Sequence, residues 1–284
     1  MAAILILLSG CTGLVEGILI KKYNAKHKKG GFLFTGLVSL FSMLFFLLTD
    51  RGGLCFAPEI FPYALISGVL FCSASFLTYL ALGCGSFTIS MLILSYSGVF
   101  SIVYGLAVLG ETASAFTYCG FAAIMVSLFL TRGAGDREKK GTSLRWAIYI
   151  LLSFVGSGMF GVVMRMQQIA FDNAYTNEYM IVTLGFSALV LLTVGLIRDG
   201  KDTWYILRHG GIYAACSGIS NGATNLMGLW INTMMPISLS SPIRAGVKVI
   251  LSFLLSKVIF KEHFLIRQAV GVAVGALALV LLNL

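Results

Sequence analysis

The sequence predicts an all-α integral membrane protein of ten transmembrane helices, and three observations lead to that fold class. Hydrophobic residues make up 58% of the 284 residues and charged residues only 11%, whereas an ordinary soluble domain is about one quarter charged. Apolar runs of about 17 to 25 residues fill nearly the whole chain, each long enough to cross the membrane as a helix. The runs lack the period-two alternation of a membrane β-barrel, so helices must satisfy the backbone hydrogen bonds.

The ten predicted spans are separated by short connections, which leaves little of the chain for a domain outside the membrane. The spans cover residues 2–20, 32–49, 60–82, 87–109, 114–131, 145–169, 178–197, 211–233, 236–260 and 264–284.

Basic residues are concentrated in alternate connections. Most of the 20 Lys and Arg residues follow the first, fifth, seventh and ninth spans, whereas the even-numbered connections contain Arg51 and several acidic residues. Because cytoplasmic connections are rich in Lys and Arg, both termini are predicted to lie outside. The net charge of +9 therefore reflects membrane orientation, and no nucleic-acid partner is expected.

The two halves of the chain repeat one another in order. The matching segments are Leu7-Leu8-Ser9, Gly17 and Lys21 with Leu151-Leu152-Ser153, Gly161 and Arg165; Tyr63-Ala64 and Ser67-Gly68 with Tyr213-Ala214 and Ser217-Gly218; and Glu111 and Gly120 with Glu262 and Gly271. An odd number of helices in each repeat inverts the second copy in the membrane. We therefore expect residues 1–131 and 145–284 to form two inverted five-helix repeats, joined by a cytoplasmic connection at 132–144.

This layout resembles the drug/metabolite transporter superfamily, in particular its ten-helix EamA-type members. The resemblance covers the full length and includes Leu109-Gly110-Glu111, which Phe260-Lys261-Glu262 echoes. It implies a secondary transporter. Organophosphate and nucleotide-sugar relatives use basic residues on the helix that here carries Arg244 and Lys248. The family is usually drawn with both termini in the cytoplasm, and this chain departs from that pattern through its basic connections.

Four ionisable residues lie within spans, where each costs about 2.5–3.5 kcal/mol at a helix centre and normally faces a cavity or a partner. Arg244 and Lys248 are four residues apart and share one face, which predicts a site for a carboxylate or phosphate. Pairing with Glu16 is the structural alternative. Glu16 is also the candidate for proton coupling or charge balance, because a desolvated carboxylate can take up a proton near neutral pH. Arg165 is expected to extend to the interface.

A polar stripe on one face of the eighth span is predicted to turn inward, where it either packs against helices or lines a cavity. Its members are Ser217, Asn221, Thr224, Asn225, Gly228 and Asn232. We expect Asn221, Thr224 and Asn225 to hydrogen-bond the substrate. Trp230 and Tyr104 would add aromatic surface, with packing as their alternative role.

The sequence contains no P-loop, no HExxH and no GxSxG motif, and its six cysteines are scattered. We therefore expect neither an enzyme nor a metal or cofactor. The predicted function is secondary active transport of a small polar metabolite that bears an anionic group, by a monomer or homodimer in the plasma membrane, with protons as the candidate coupling ion. The alternatives are an exporter of neutral or zwitterionic metabolites such as amino acids and, from another class, a lipid flippase subunit or non-transporting membrane partner.

Overall fold

A computed structural model describes residues 2–27, 29–50, 52–85, 87–110, 115–131, 144–255 and 266–281. These residues form α-helices joined by short turns and contain no β-strand. The helices are α1 Ala2–His27, α2 Gly31–Thr49, α3 Phe61–Cys84, α4 Phe87–Ser95, α5 Val99–Ala107, α6 Ala115–Thr131, α7 Leu144–Ala170, α8 Thr176–Arg198, α9 Thr203–Met234, α10 Ile237–Leu255 and α11 Ile266–Leu281.

The chain is a helical, multi-pass membrane protein, as predicted. Within the described residues, six helical segments are long and apolar enough to cross a bilayer: Ala2–His27, Gly31–Thr49, Pro58–Cys84, Ile89–Ala107, Leu144–Ala170 and Thr176–Arg198. The polar stripe lies on α9, and the cations Arg244 and Lys248 lie on α10. These two helices are therefore less apolar than the six.

The fourth predicted span is interrupted, because a 3-10 turn at Tyr96–Gly98 separates α4 from α5. The local sequence Ser95-Tyr96-Ser97-Gly98 contains only weak helix formers. The turn also lies against α10, since a Cβ atom at Gly98 would be 3.3 Å from Ser241 Cβ. Weak helix propensity and a close helix contact thus coincide at the interruption.

The helices pack in an interleaved arrangement in which elements from early and late in the chain are neighbours. α1 packs against α9 and α10, α2 against α8 and α9, and α3 against α7 and α8. α6 packs against α11, while α4 and α5 both contact α7 and α10. α2 contributes to two apolar clusters, with the fully buried Phe34 in one and Phe46 in the other.

Glycines allow α2 to approach its neighbours closely. A Cβ atom at Gly195 of α8 would lie 2.7 Å from the backbone nitrogen of Leu33, and one at Gly218 of α9 would lie 2.6 Å from the carbonyl oxygen of Val38. The hydroxyl of Ser42 donates to the carbonyl of Gly218 at 2.8 Å. The backbone of α2 therefore packs directly against α8 and α9.

Some of the predicted features lie outside the described residues. These are Glu111 and Glu262 of the repeated segment and residues 132–143 of the connection between the proposed repeats. The repeat boundaries at 131 and 145 stay predictions.

Candidate functional site

The polar stripe of α9 turns inward, which confirms the prediction from its spacing. Ser217, Asn221 and Asn232 are buried, and so is Gly228. Thr224 and Asn225 are half-buried. The stripe faces α1, α2 and α10 rather than lipid, so its side chains are available to one another and to any polar ligand between these helices.

Asn221 is the centre of a hydrogen-bond network that joins three helices. Its side-chain nitrogen donates to Oε1 of Glu16 on α1 at 3.0 Å. Its oxygen accepts from the Asn225 side chain at 3.0 Å and from the Ser42 hydroxyl at 3.1 Å. Among the described residues, the other carboxylate oxygen of Glu16 has no hydrogen-bond partner. The network thus fixes Glu16 while leaving one of its oxygens available.

Thr224 connects α9 to α1 beside this network. Its hydroxyl lies 2.7 Å from the hydroxyl of Thr12 and also donates to the carbonyl oxygen of Ser220 at 2.8 Å. These two bonds occupy much of the hydrogen-bonding capacity of one hydroxyl. Thr224 thus takes part in packing α9 against α1, while the amide oxygen of Asn225 has no hydrogen-bond partner among the described residues.

Two glycines make room for the cations of α10. A Cβ atom at Gly13 of α1 would lie 3.2 Å from Cε of Lys248 and 3.5 Å from its Nζ. A Cβ atom at Gly228 of α9 would lie 3.0 Å from Nη1 of Arg244. Lys248 therefore lies against α1 and Arg244 against α9, with both side chains half-buried.

Neither cation is neutralised by the part of the chain that the structure describes. Within it, Arg244 and Lys248 have no hydrogen bond and no ion pair within 4.0 Å. Their side-chain nitrogens nevertheless keep some accessible surface. Glu16 and Lys248 interact electrostatically through space, but Glu16 is hydrogen-bonded to Asn221 rather than ion-paired. The two cations are therefore available to an anion.

A second polar cluster lies nearer the end of α9. Arg165 of α7 donates from Nη1 to the carbonyl oxygen of Asn232 at 3.0 Å, so its side chain reaches a neighbouring helix rather than the interface. Gln168, which sequence reasoning missed, donates to Leu229 O at 3.2 Å and accepts from the Asn232 side chain at 3.1 Å. The signal for it was present, because a glutamine in a membrane span needs a partner.

The two aromatic candidates are placed differently from the polar ones. Trp230 is 50% exposed and follows Gly228 by two residues, which places it about 200° around α9 from the inward face. Tyr104 on α5 lies within electrostatic range of Arg165 and Tyr63. The structure thus brings Glu16, Asn221 and Asn225 together beside Lys248 and Arg244. It places Tyr104 with the second cluster and Trp230 with neither.

An aromatic pair lies at the positions that the predicted repeat relates to Glu16 and Asn221. In the repeated sequence, Gly17 aligns with Gly161 and Ser217 with Ser67, so Glu16 corresponds to Phe160 and Asn221 to Phe71. Phe71 and Phe160 are in contact, with ring centroids 5.4 Å apart. The predicted repeat therefore relates the carboxylate–amide hydrogen bond of Glu16 and Asn221 to an aromatic contact.

The fold recurs among solved structures. One, described only as "Crystal structure of protein", is similar to 99% of this chain over 98% of its own length, with a TM-score of 0.69 and 15% sequence identity. At that identity the similarity establishes a shared fold and nothing about activity. No protein-family model matches the sequence. No curated protein matches it either.

Proposed function

We propose that this chain is a secondary transporter of a small polar metabolite that bears an anionic group. The pair of cations on α10 carries the proposal. A charged side chain within the membrane costs several kcal/mol, yet Arg244 and Lys248 have no ionic partner among the described residues and keep some accessible surface. A carboxylate or phosphate between them would accept charge-assisted hydrogen bonds from both.

The helix pairing supports ten transmembrane helices in two inverted repeats, with α4 and α5 counted as one span. If the halves are exchanged, the contact of α1 with α9 becomes that of α7 with α3, and the contact of α2 with α9 becomes that of α8 with α3. All four contacts occur. The correspondence of Glu16–Asn221 with Phe160–Phe71 extends this agreement to individual residues.

Inverted repeats of this kind provide alternating access, in which one bundle rocks against the other around a site near the bilayer midplane. In this proposal Arg244 and Lys248 hold the anionic group, Asn221 and Asn225 donate or accept hydrogen bonds, and Glu16 exchanges a proton. The layout is that of an EamA-type drug/metabolite transporter in the plasma membrane. The basic connections favour termini on the outer side.

A zwitterionic substrate is the second candidate, and one observation favours it. Glu16 has a carboxylate oxygen without a hydrogen-bond partner among the described residues, on the same side of α9 as the two cations. A substrate ammonium could bind there while its carboxylate binds Arg244. The two candidates differ in whether the ligand needs a positive group.

Ligand-induced thermal stabilisation of the purified protein tests the proposal. The panel is inorganic phosphate, glycerol 3-phosphate, L-glutamate, L-leucine, glucose and choline, applied to wild type, Lys248→Gln and Arg244→Gln. A ligand at 100 times its dissociation constant stabilises by about 2.7 kcal/mol. We expect an anionic compound to stabilise the wild type, and this effect to be lost in either folded variant.

Arg198→Gln is the matched control, because Arg198 is an exposed cation at the end of α8, and it should leave the stabilisation intact. Stabilisation by L-leucine but not by phosphate would favour the zwitterionic candidate. If choline or glucose stabilises all four proteins alike, or if no anion stabilises any of them, the anion-site proposal is wrong.

A further inference from the structure

Three cationic side chains, from α7 and α10, lie along the inward face of α9. Arg244 and Arg165 contact α9 at Gly228 and at Asn232, four residues apart, which is a rise of about 6 Å along the helix. Lys248 lies beside Gly13 of α1, next to which Thr224 of α9 also packs. We call this set the cationic ladder. It runs from the Glu16 network towards the end of α9 at Met234.

Arg165 is the member of the ladder that the proposed site does not use, and helix capping does not account for its charge. The cap on the carbonyl of Asn232 uses one of the five N–H groups of the guanidinium. Nε of Arg165 is buried and has no hydrogen-bond partner in the described structure, which is a costly state for a buried donor. Two hydrogen bonds of Gln168 already join α7 to α9 at the same level.

The surroundings of Arg165 suit an oxyanion. Tyr104 of α5 lies within electrostatic range of it and offers a phenolic hydroxyl as a donor. Arg165 itself is half-buried, so part of the guanidinium is accessible. A planar guanidinium with free N–H groups is well suited to hold a carboxylate or phosphate.

We propose that Arg165 is an outer binding station for the substrate's anionic group, one step along the ladder from Arg244. That the bound anion is the substrate rests on the proposed function. The positive charge at Arg165 is a local property that can be measured without any substrate. The contacts of Arg165 and Arg244 with α9 are one helical turn apart, so the anion passes from Arg165 to Arg244 along one face of α9.

Charged thiol reagents test the station directly. Tyr104→Cys is introduced after the native cysteines have been replaced by serine, and its modification rates are measured with a negatively charged methanethiosulfonate, the 2-sulfonatoethyl reagent, and a positively charged one, the 2-trimethylammonioethyl reagent. We expect the ratio of the anionic to the cationic rate to fall several-fold when Arg165→Gln is added. Glutamine removes the charge and keeps a polar side chain with N–H donors at this position.

Two further variants make the result specific. Arg165→Lys should keep most of the rate ratio because it keeps the charge, and Arg198→Gln should leave it unchanged. A ratio that does not respond to Arg165→Gln, or a thiol that neither reagent reaches, would overturn the station. If the ratio falls but the panel finds no anionic ligand, the station stands and the proposed substrate class fails.

Discussion

Replacing Gly218 by alanine is expected to destabilise the folded protein by about 2–3 kcal/mol, in the upper part of the usual range for overpacking. The added Cβ atom would lie 2.5 Å from Cβ of Phe41, 2.6 Å from the carbonyl oxygen of Val38 and 3.1 Å from the backbone nitrogen of Ser42. Two of these are backbone atoms, so no rotamer change relieves the clash. α2 and α9 would have to separate, which also weakens the hydrogen bond from Ser42 to Asn221.

Gly211→Ala is the matched control because it adds the same methyl group to the same helix. Nothing lies within 4 Å of a Cβ atom built there, and alanine favours a helix over glycine by about 0.8–1.0 kcal/mol. Thermal unfolding of the purified protein, followed by intrinsic fluorescence, should therefore show a lower melting temperature for Gly218→Ala only. Equal melting of the two variants would mean that α2 and α9 are not in backbone contact.

The helical class was predictable because it follows from hydropathy alone, which is a property of whole segments. The interruption after α4 was not predicted, because a short run of Ser, Tyr and Gly within an apolar segment is tolerated in a continuous membrane helix. Whether such a run bends the helix depends on the neighbour, here Ser241 of α10 at Gly98. The local sequence does not show which neighbouring helix packs against the turn, because that contact depends on the tertiary fold.

The candidate site was predictable to the extent that charge and helical spacing determine it. Arg244 and Lys248 lie on one face of the helix because they are four residues apart. The burial of Asn221 was predictable because the polar residues of α9 share one face. Ser42 was missed because a serine in an apolar helix can bond its own backbone, and only the structure shows it reaching Asn221. The position of Trp230 was also predictable from spacing. It follows Gly228 by two residues, so its side chain points away from the site.

Positions that the predicted repeat relates to one another differ in polarity. The predicted repeat relates the contact of Phe160 with Phe71 to the hydrogen bond between Glu16 and Asn221. An aromatic contact stabilises helix packing without any ligand, whereas a carboxylate–amide pair is retained at a desolvation cost. The proposed binding site accordingly lies at the polar contact and not at the aromatic one.

Replacing Glu16 by glutamine is expected to abolish the pH dependence of anion binding without unfolding the protein. Glutamine keeps the side-chain oxygen that accepts from Asn221 at 3.0 Å but cannot exchange a proton. In the wild type, ionised Glu16 opposes an anion held by Arg244 and Lys248, and protonated Glu16 does not. Anion affinity should therefore rise as the pH falls in the wild type and stay uniformly high in Glu16→Gln.

The size of the effect follows from thermodynamic linkage, in which coupling between two sites is typically 1–3 kcal/mol, or about 5- to 150-fold in affinity. It is measured as the dissociation constant of the stabilising anion at pH 5.5, 6.5, 7.5 and 8.5. Glu178→Gln is the control, because Glu178 is a buried carboxylate that accepts from the backbone of Cys55, away from this site. It should retain the wild-type slope. The same slope in Glu16→Gln would assign proton coupling to another group, since the only change at the site is the loss of its ionisable carboxylate.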